Sequence, residues 1–163
     1  YDSYFYTDSG GDIAINTEDG GRFAMTAGFP IATYQENQLI LAEAKAKTGN
    51  DAGALTNLNN FRTDLVAQYS ATAADFPAST ASGAELLNQI LEEKYIALVG
   101  ELVCFHDLRR TRNLIGVPNK TTGSTGASDF PQKFLYPQSE LDTNGENVPQ
   151  DEFFTPTALF TSY

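Results

Sequence analysis

One cysteine, Cys104, and one histidine, His106, occur in 163 residues. A single thiol closes no disulfide within the chain, so cysteine usage says little about compartment. Basic residues are also scarce: 10 Lys and Arg against 21 Asp and Glu leave a formal net charge of -11. Nucleic acid and anionic membranes are bound through clustered Lys and Arg, which argues against both as partners. The sole basic cluster is Arg109, Arg110 and Arg112. No apolar run reaches the roughly 18 residues of a membrane-spanning helix. A P-loop, a dinucleotide-binding glycine fingerprint, H-E-x-x-H and G-x-S-x-G are all missing, so no cofactor is implied. An initiating Met and a signal-peptide pattern are missing too. The chain opens at Tyr1 on an aromatic run, and reads as a processed chain or a fragment.

What is present is globular in character: 41% of residues are hydrophobic and 19% charged. The length suits one domain, 1–163, with a sizeable core. The expected fold class is mainly α, built of helical hairpins over 33–113, with irregular, loop-rich segments at 1–32 and 114–163. Residues 1–31 mix Tyr, Phe and glycine pairs, and suit extended segments joined by turns at Gly10-Gly11 and Gly20-Gly21. The periodicity then becomes helical. Leu39, Ala42 and Ala46 share a face, with Ile40 and Ala44 beside it. Gly49 supplies a stop, and Asn50 or Asp51 a new cap. A second helix, about 51–69, carries Ala54, Leu58, Phe61 and Leu65. The short break makes these two an antiparallel hairpin, in which Ala42, Ala44 and Ala46 allow close approach.

The segment 70–81 reads as a loop. Ser82 and Glu85 fit a capping box. The helix that follows shows Leu87, Ile90, Leu91, Tyr95 and Leu98 as its apolar stripe. It runs to Gly100, and either continues with a kink to Asn113 or gives way to another helix. Beyond Leu114, Asn119–Asp129 is a polar surface loop, Phe134–Asn144 a short strand followed by a turn, and the remainder, with Pro149 and Pro156, mostly loop.

Three groups of residues invite a chemical reading. Cys104, His106 and Asp107 suggest a nucleophile, a base and an orienting acid. On one helix, however, Cys104 and His106 lie about 200° apart and cannot pair with each other. A buried, inert thiol is the expectation, against a cysteine-dependent hydrolase as the rival. Relative to Glu101, Phe105 and Arg112 fall within about 40°, and Leu108 about 20° to the other side. Asp107 and Arg110, three apart, suit a local pair. Glu101, Asp107, Arg110 and Arg112 are therefore expected as structural ion pairs between helices, with carboxylate or phosphate recognition by Arg109 or Arg112 as the alternative. At the N-terminal end, Tyr4 and Tyr6 with Asp8 could stack on and hydrogen-bond a sugar ring; the alternative is a strand with its aromatics in a core. Asp8 and Asp12 do not match a calcium loop, and no metal site is expected.

Four segments together resemble one family. TYQENQLILAEAKAKTGN is similar to a helix with the pattern T-Y-x-E…L-x-x-A-E-A and a following G-[DN] turn. ALTNLNNFR resembles its partner, A-L-x-x-L-N-x-x-R. ILEEKYIALVGELVCFHDLRRT resembles I-L-x-E-[KR]…E-F-x-x-E-G-x-R-W-x-D-L-x-R, and FLYPQSELDTNGENVPQ resembles P-I-P-x-x-E-[IL]-x-x-N-P-x-x-x-Q. The family is the SusD/RagB-like nutrient-binding outer-membrane lipoproteins of the Bacteroidota. The likeness covers about residues 33–150, and residues 1–32 match only loosely. Two departures stand out. Leu102-Val103-Cys104-Phe105 replaces the family's Gly-x-Arg-Trp or Phe, and Asn144-Gly145 stands where Asn-Pro is common. The resemblance implies tetratricopeptide-like hairpins and the C-terminal part of a longer lipoprotein anchored at the cell surface. It implies binding rather than catalysis: glycan or another nutrient is held beside a SusC-like TonB-dependent transporter. The alternative is a tetratricopeptide-like scaffold that contacts the transporter without touching glycan.

Overall fold

The computed structural model describes residues 4–28, 30–118, 130–149 and 154. Tyr1, the polar stretch 119–129, Gln150 and the tail around Pro156 lie outside the described residues. The chain divides into two compact units, residues 1–33 and 34–163. The described parts hold five helices, several of them packed in pairs, and one small hairpin.

In the first unit, β1 (Phe5–Thr7) pairs antiparallel with β2 (Ile13–Ile15), with Phe5 opposite Ile15 and Thr7 opposite Ile13. The turn between them needs a residue in the left-handed region, and Gly11 supplies it at φ 89°. Asp8 braces the same turn: its Oδ1 accepts from the backbone N–H of Gly10 at 2.8 Å and of Asp12 at 3.0 Å. Tyr4 packs edge-on against Phe23, with ring centroids 6.2 Å apart.

The second unit is built on α1 (Tyr34–Lys47), α2 (Asp51–Gln68), α3 (Gly83–Ala97) and α4 (Leu102–Arg110). Gly49 takes φ 79° between α1 and α2, and the Asn50 side chain caps α2 by accepting from Gly53 N–H at 3.0 Å. The core is a single cluster: Leu39 and Ala42 from α1, Ala54, Leu58 and Phe61 from α2, Leu86 and Ile90 from α3. Burying a side chain the size of Leu or Phe contributes about 1.5–3 kcal/mol, so these residues hold the three helices together. Ala46 and Leu65 pack at the margin, while Ile40 and Ala44 face outward.

Three expectations need correction. The fully buried residue at the start of α3 is Leu86, with Leu87 only half-buried. Ser82 makes no capping bond; Asp51, at the start of α2, accepts from Gly83 N–H at 2.6 Å instead, and so ties two helix starts together. The expected strand and turn near Phe134–Asn144 is instead a short helix, α5 (Gln138–Asn144), followed by a 3-10 turn at Gly145–Asn147. Local polar pairs one turn apart hold it: Gln138 donates to Asp142 at 2.8 Å, and Asn144 to Glu140 at 2.6 Å.

Candidate functional site

Five charged residues of the helical unit converge on one cluster. Glu43 projects from α1 and is 6% exposed; Lys94 projects from α3 and is 4% exposed. Such groups are retained in a core only when paired. The Arg110 guanidinium, from α4, grips both Glu43 oxygens, with Nη1 on Oε1 and Nη2 on Oε2, the latter at 2.6 Å. Lys94 Nζ lies 2.8 Å from Asp107 Oδ2 and 3.4 Å from Glu43 Oε2. Arg110 Nε also donates to Asp107 Oδ1 at 2.8 Å. Lys47, one turn beyond Glu43, adds a contact at 3.3 Å. Two carboxylates and three cations thus join α1, α3 and α4.

The electrostatics follow from this packing. Burial alone would raise the Glu43 carboxyl, but the hydrogen bonds and charge of Arg110, helped by Lys94 and Lys47, outweigh it and hold the group below its usual range. For Arg110 burial works against the charged form, and the Glu43 and Asp107 carboxylates reverse it, raising the group further. Glu43 and Arg110 therefore hold each other in their charged forms. A carboxylate and a guanidinium locked together in this way fasten α4 to α1.

Each residue singled out from the sequence can now be placed. Asp107 and Arg110 are joined across one helical turn, as members of the larger cluster. Glu101 and Arg112 both lie outside the regular helix, because α4 covers only Leu102–Arg110. Glu101 sits at the N-cap with extended backbone, and Arg112 lies past the C-cap with φ 51°. The wheel that placed them beside Phe105 assumed a longer helix. Arg109 stacks its guanidinium over the Phe105 ring, 5.3 Å from the centroid. Cys104 turns toward α3 and donates to the Leu98 carbonyl at 2.8 Å. Burial, and secondarily the nearby Asp107 carboxylate, push its thiol up to about 11. His106, two residues on, is exposed.

At the hairpin, Tyr4 is half-buried against Phe5 and Phe23, whereas Tyr6 is 41% exposed. Asp8 Oδ1 is already engaged by two backbone N–H groups. Tyr6 is thus the member of that trio whose ring is most open to solvent. Among the described residues no helix is long and apolar enough to cross a membrane.

Sequence reasoning missed Glu43 and Lys94 as cluster members. It also missed two further ties: Arg62 donates to Glu93 at 2.7 Å, and the Asn59 amide accepts from Ser79 N–H at 2.7 Å while donating to its carbonyl at 3.0 Å. A polar residue inside an apolar stripe, as Glu43 is between Ala42 and Ala46, was the available signal. No family model matches the chain, and no curated protein or solved structure is significantly similar to it.

Proposed function

We propose that this chain is the C-terminal part of a SusD/RagB-like nutrient-binding lipoprotein. In this reading the complete protein is lipid-anchored at the outer-membrane surface and binds a glycan, or another nutrient, for a SusC-like TonB-dependent transporter. Its helices would be tetratricopeptide-like hairpins, and it would perform no catalysis. One observation carries the reading. Polar positions from three of the four quoted patterns are paired with each other in the helical unit. Glu43 of the A-E-A pattern meets Arg110 of D-L-x-R and Lys94 of I-L-x-E-[KR], and Arg62 of A-L-x-x-L-N-x-x-R meets Glu93. Three separate segments thus fit one architecture at these residues, which supports treating them as one pattern rather than three coincidences. The high thiol pKa of Cys104 and its bond to a backbone carbonyl support binding over nucleophilic chemistry.

Isothermal titration of the complete protein against a panel of polysaccharides and peptides tests the reading. Saturable heat with at least one, and no turnover, is the expected result; no heat with any of them refutes it. A second reading, a scaffold that contacts the transporter without glycan, is favoured by apolar side chains left open on the helices: Ile40 and Leu41 on α1, Ile96 on α3 and Leu102 on α4. Capture of the transporter by a protein with no sugar affinity would select it.

A further inference from the structure

The chain between α2 and α3 runs back along α2, and three ties hold it there. Arg62 donates from Nη1 to the Pro77 carbonyl at 2.8 Å. Asn59 accepts from Ser79 N–H at 2.7 Å and donates to its carbonyl at 3.0 Å. Asp51 takes the Gly83 N–H at 2.6 Å. On the other side, Ser79 Oγ donates to Gln89 of α3 at 2.6 Å. Between this fixed segment, 77–81, and α3 lies an open groove of about 640 Å³. Its α3 wall carries Glu85, Gln89 and Glu92, which spacings of four and three place on one helical face.

The groups in this groove divide into two kinds. Arg62 and Gln89 are spent on bracing the segment. Thr80, Glu85 and Glu92 are exposed. Among the described residues, the Glu92 carboxylate and the Thr80 hydroxyl make no hydrogen bond, and Glu85 receives one, from Gln89 at 3.1 Å. An aromatic pair continues the groove at its Pro77 end. Phe76 directly precedes Pro77, and Tyr69 closes α2; their rings stack with centroids 6.3 Å apart and planes 25° from parallel. Tyr69 is 57% exposed, so Phe76 fixes its ring without covering it. Tyr69 follows Arg62 by seven residues, which puts it on the same side of α2 and about 10 Å further along.

A sugar ring matches this arrangement. Its C–H face is apolar and suits an open aromatic ring, while its rim hydroxyls donate to carboxylates and exchange bonds with a hydroxyl. A cationic peptide side chain brings donors alone. The charge of the groove then decides among sugars. Glu85 and Glu92 lie in a chain of net charge -11, so a uronic-acid or sulfated chain would set anion against anion.

We propose that the groove between segment 77–81 and α3, ending at Tyr69, is a subsite for uncharged oligosaccharides. One sugar stacks on Tyr69, and the hydroxyls of its neighbours donate to Glu92 and Glu85. The proposal rests on the glycan reading above and adds to it a place and a charge class.

Amide-resolved NMR titration of the whole chain tests it, with maltohexaose, xylohexaose and mannohexaose as neutral probes, and hexagalacturonate and pentalysine as controls. Saturable shifts at Tyr69, Thr80, Glu85 and Glu92 with at least one neutral hexasaccharide, and weaker binding of both controls, support the proposal. Tyr69→Ala should weaken binding about tenfold, the loss expected for an aromatic anchor. Glu85→Gln with Glu92→Gln should weaken it too, and narrow the preference over hexagalacturonate. All three side chains are exposed and outside the core cluster, so an unchanged unfolding midpoint accompanies both variants. The proposal is overturned if no neutral hexasaccharide gives saturable shifts at these residues, if either control binds there as tightly, or if both variants bind like the parent chain. Heat from the complete protein with a glycan, without shifts at this groove, overturns the subsite and leaves the glycan reading standing.

Discussion

Replacing Glu43 with Ala removes a carboxylate that touches three cations, Lys47, Lys94 and Arg110. The side chain is 7% exposed, and Arg110 loses two charge-assisted hydrogen bonds with it. Each such bond is worth about 1.5–3 kcal/mol. The whole sum is not lost. Arg110 keeps Asp107 at 2.8 Å and, being 24% exposed, regains some hydration. Lys94 fares worse: at 5% exposure it retains only Asp107, 2.8 Å away. Removing one member of a buried pair typically costs about 3–5 kcal/mol, and the surviving Asp107 contacts place this case at the lower end, about 3 kcal/mol. For a chain of this length that lowers the Tm by about 6–12 °C. Urea unfolding followed by circular dichroism at 222 nm measures it. A double-mutant cycle with Arg110→Ala should return a coupling of about 2 kcal/mol, because the two side chains touch. A Glu43→Ala protein within about 0.5 kcal/mol of the parent would refute the argument, because surface substitutions already scatter that much.

The same carboxylate sets a pH dependence. Its folded-state value lies below its ordinary 4.5, so it stabilises the fold above that pH, and the contribution is lost as pH falls through the lower folded value. Unfolding midpoints measured from pH 7 to pH 3 should therefore drop below about pH 4.5, and drop less in Glu43→Gln; identical profiles would contradict the assignment. Cys104, with its thiol pushed up to about 11 and bonded to the Leu98 carbonyl, should react with iodoacetamide at pH 8 far more slowly than in the urea-unfolded chain. Equal rates would mean that the thiol is open to solvent. Asp51→Ala should cost about 1 kcal/mol, the usual value of a helix cap, and a stability equal to the parent's would remove the cross-helix cap from the account.

Local and periodic features were legible. Leu39 with Ala42, and Ala54 with Leu58 and Phe61, follow the 3.6-residue repeat that a half-buried helix imposes, and they form the core. The left-handed stop at Gly49 and the turn at Gly11 follow from what a backbone without Cβ permits. Ser82 and Glu85 misled because a capping box is only one way to satisfy a helix start, and a carboxylate from another helix took the position. Phe134–Asn144 misled because its apolar run resembles a strand, while the polar pairs that decide for a helix begin only after Pro137. The ion cluster could not be read from spacing. Glu43 and Arg110 are 67 residues apart, and only the packing of α1 on α3 and α4 makes them neighbours. The one part of it visible in advance, Asp107 with Arg110, lies within a single helical turn.

This difference bears on how the proposed binding should be sought. The residues that make the chain resemble a family are the ones it spends on fastening helices: Glu43, Arg62, Glu93, Lys94, Asp107 and Arg110 all meet partners inside the helical unit. A side chain held in such a cluster has its hydrogen-bonding directions filled, so it cannot also present them to a ligand without releasing the helix it holds. Substituting these residues would abolish any binding by loosening the fold, and the loss would say nothing about where a ligand sits. Informative substitutions lie outside the fasteners, at side chains open to solvent. Tyr6 on the hairpin is such a position, 41% exposed and outside the core cluster. A change in affinity there with an unchanged unfolding midpoint would report on contact with a ligand, because the two quantities separate only when the substituted group belongs to a site and not to the architecture.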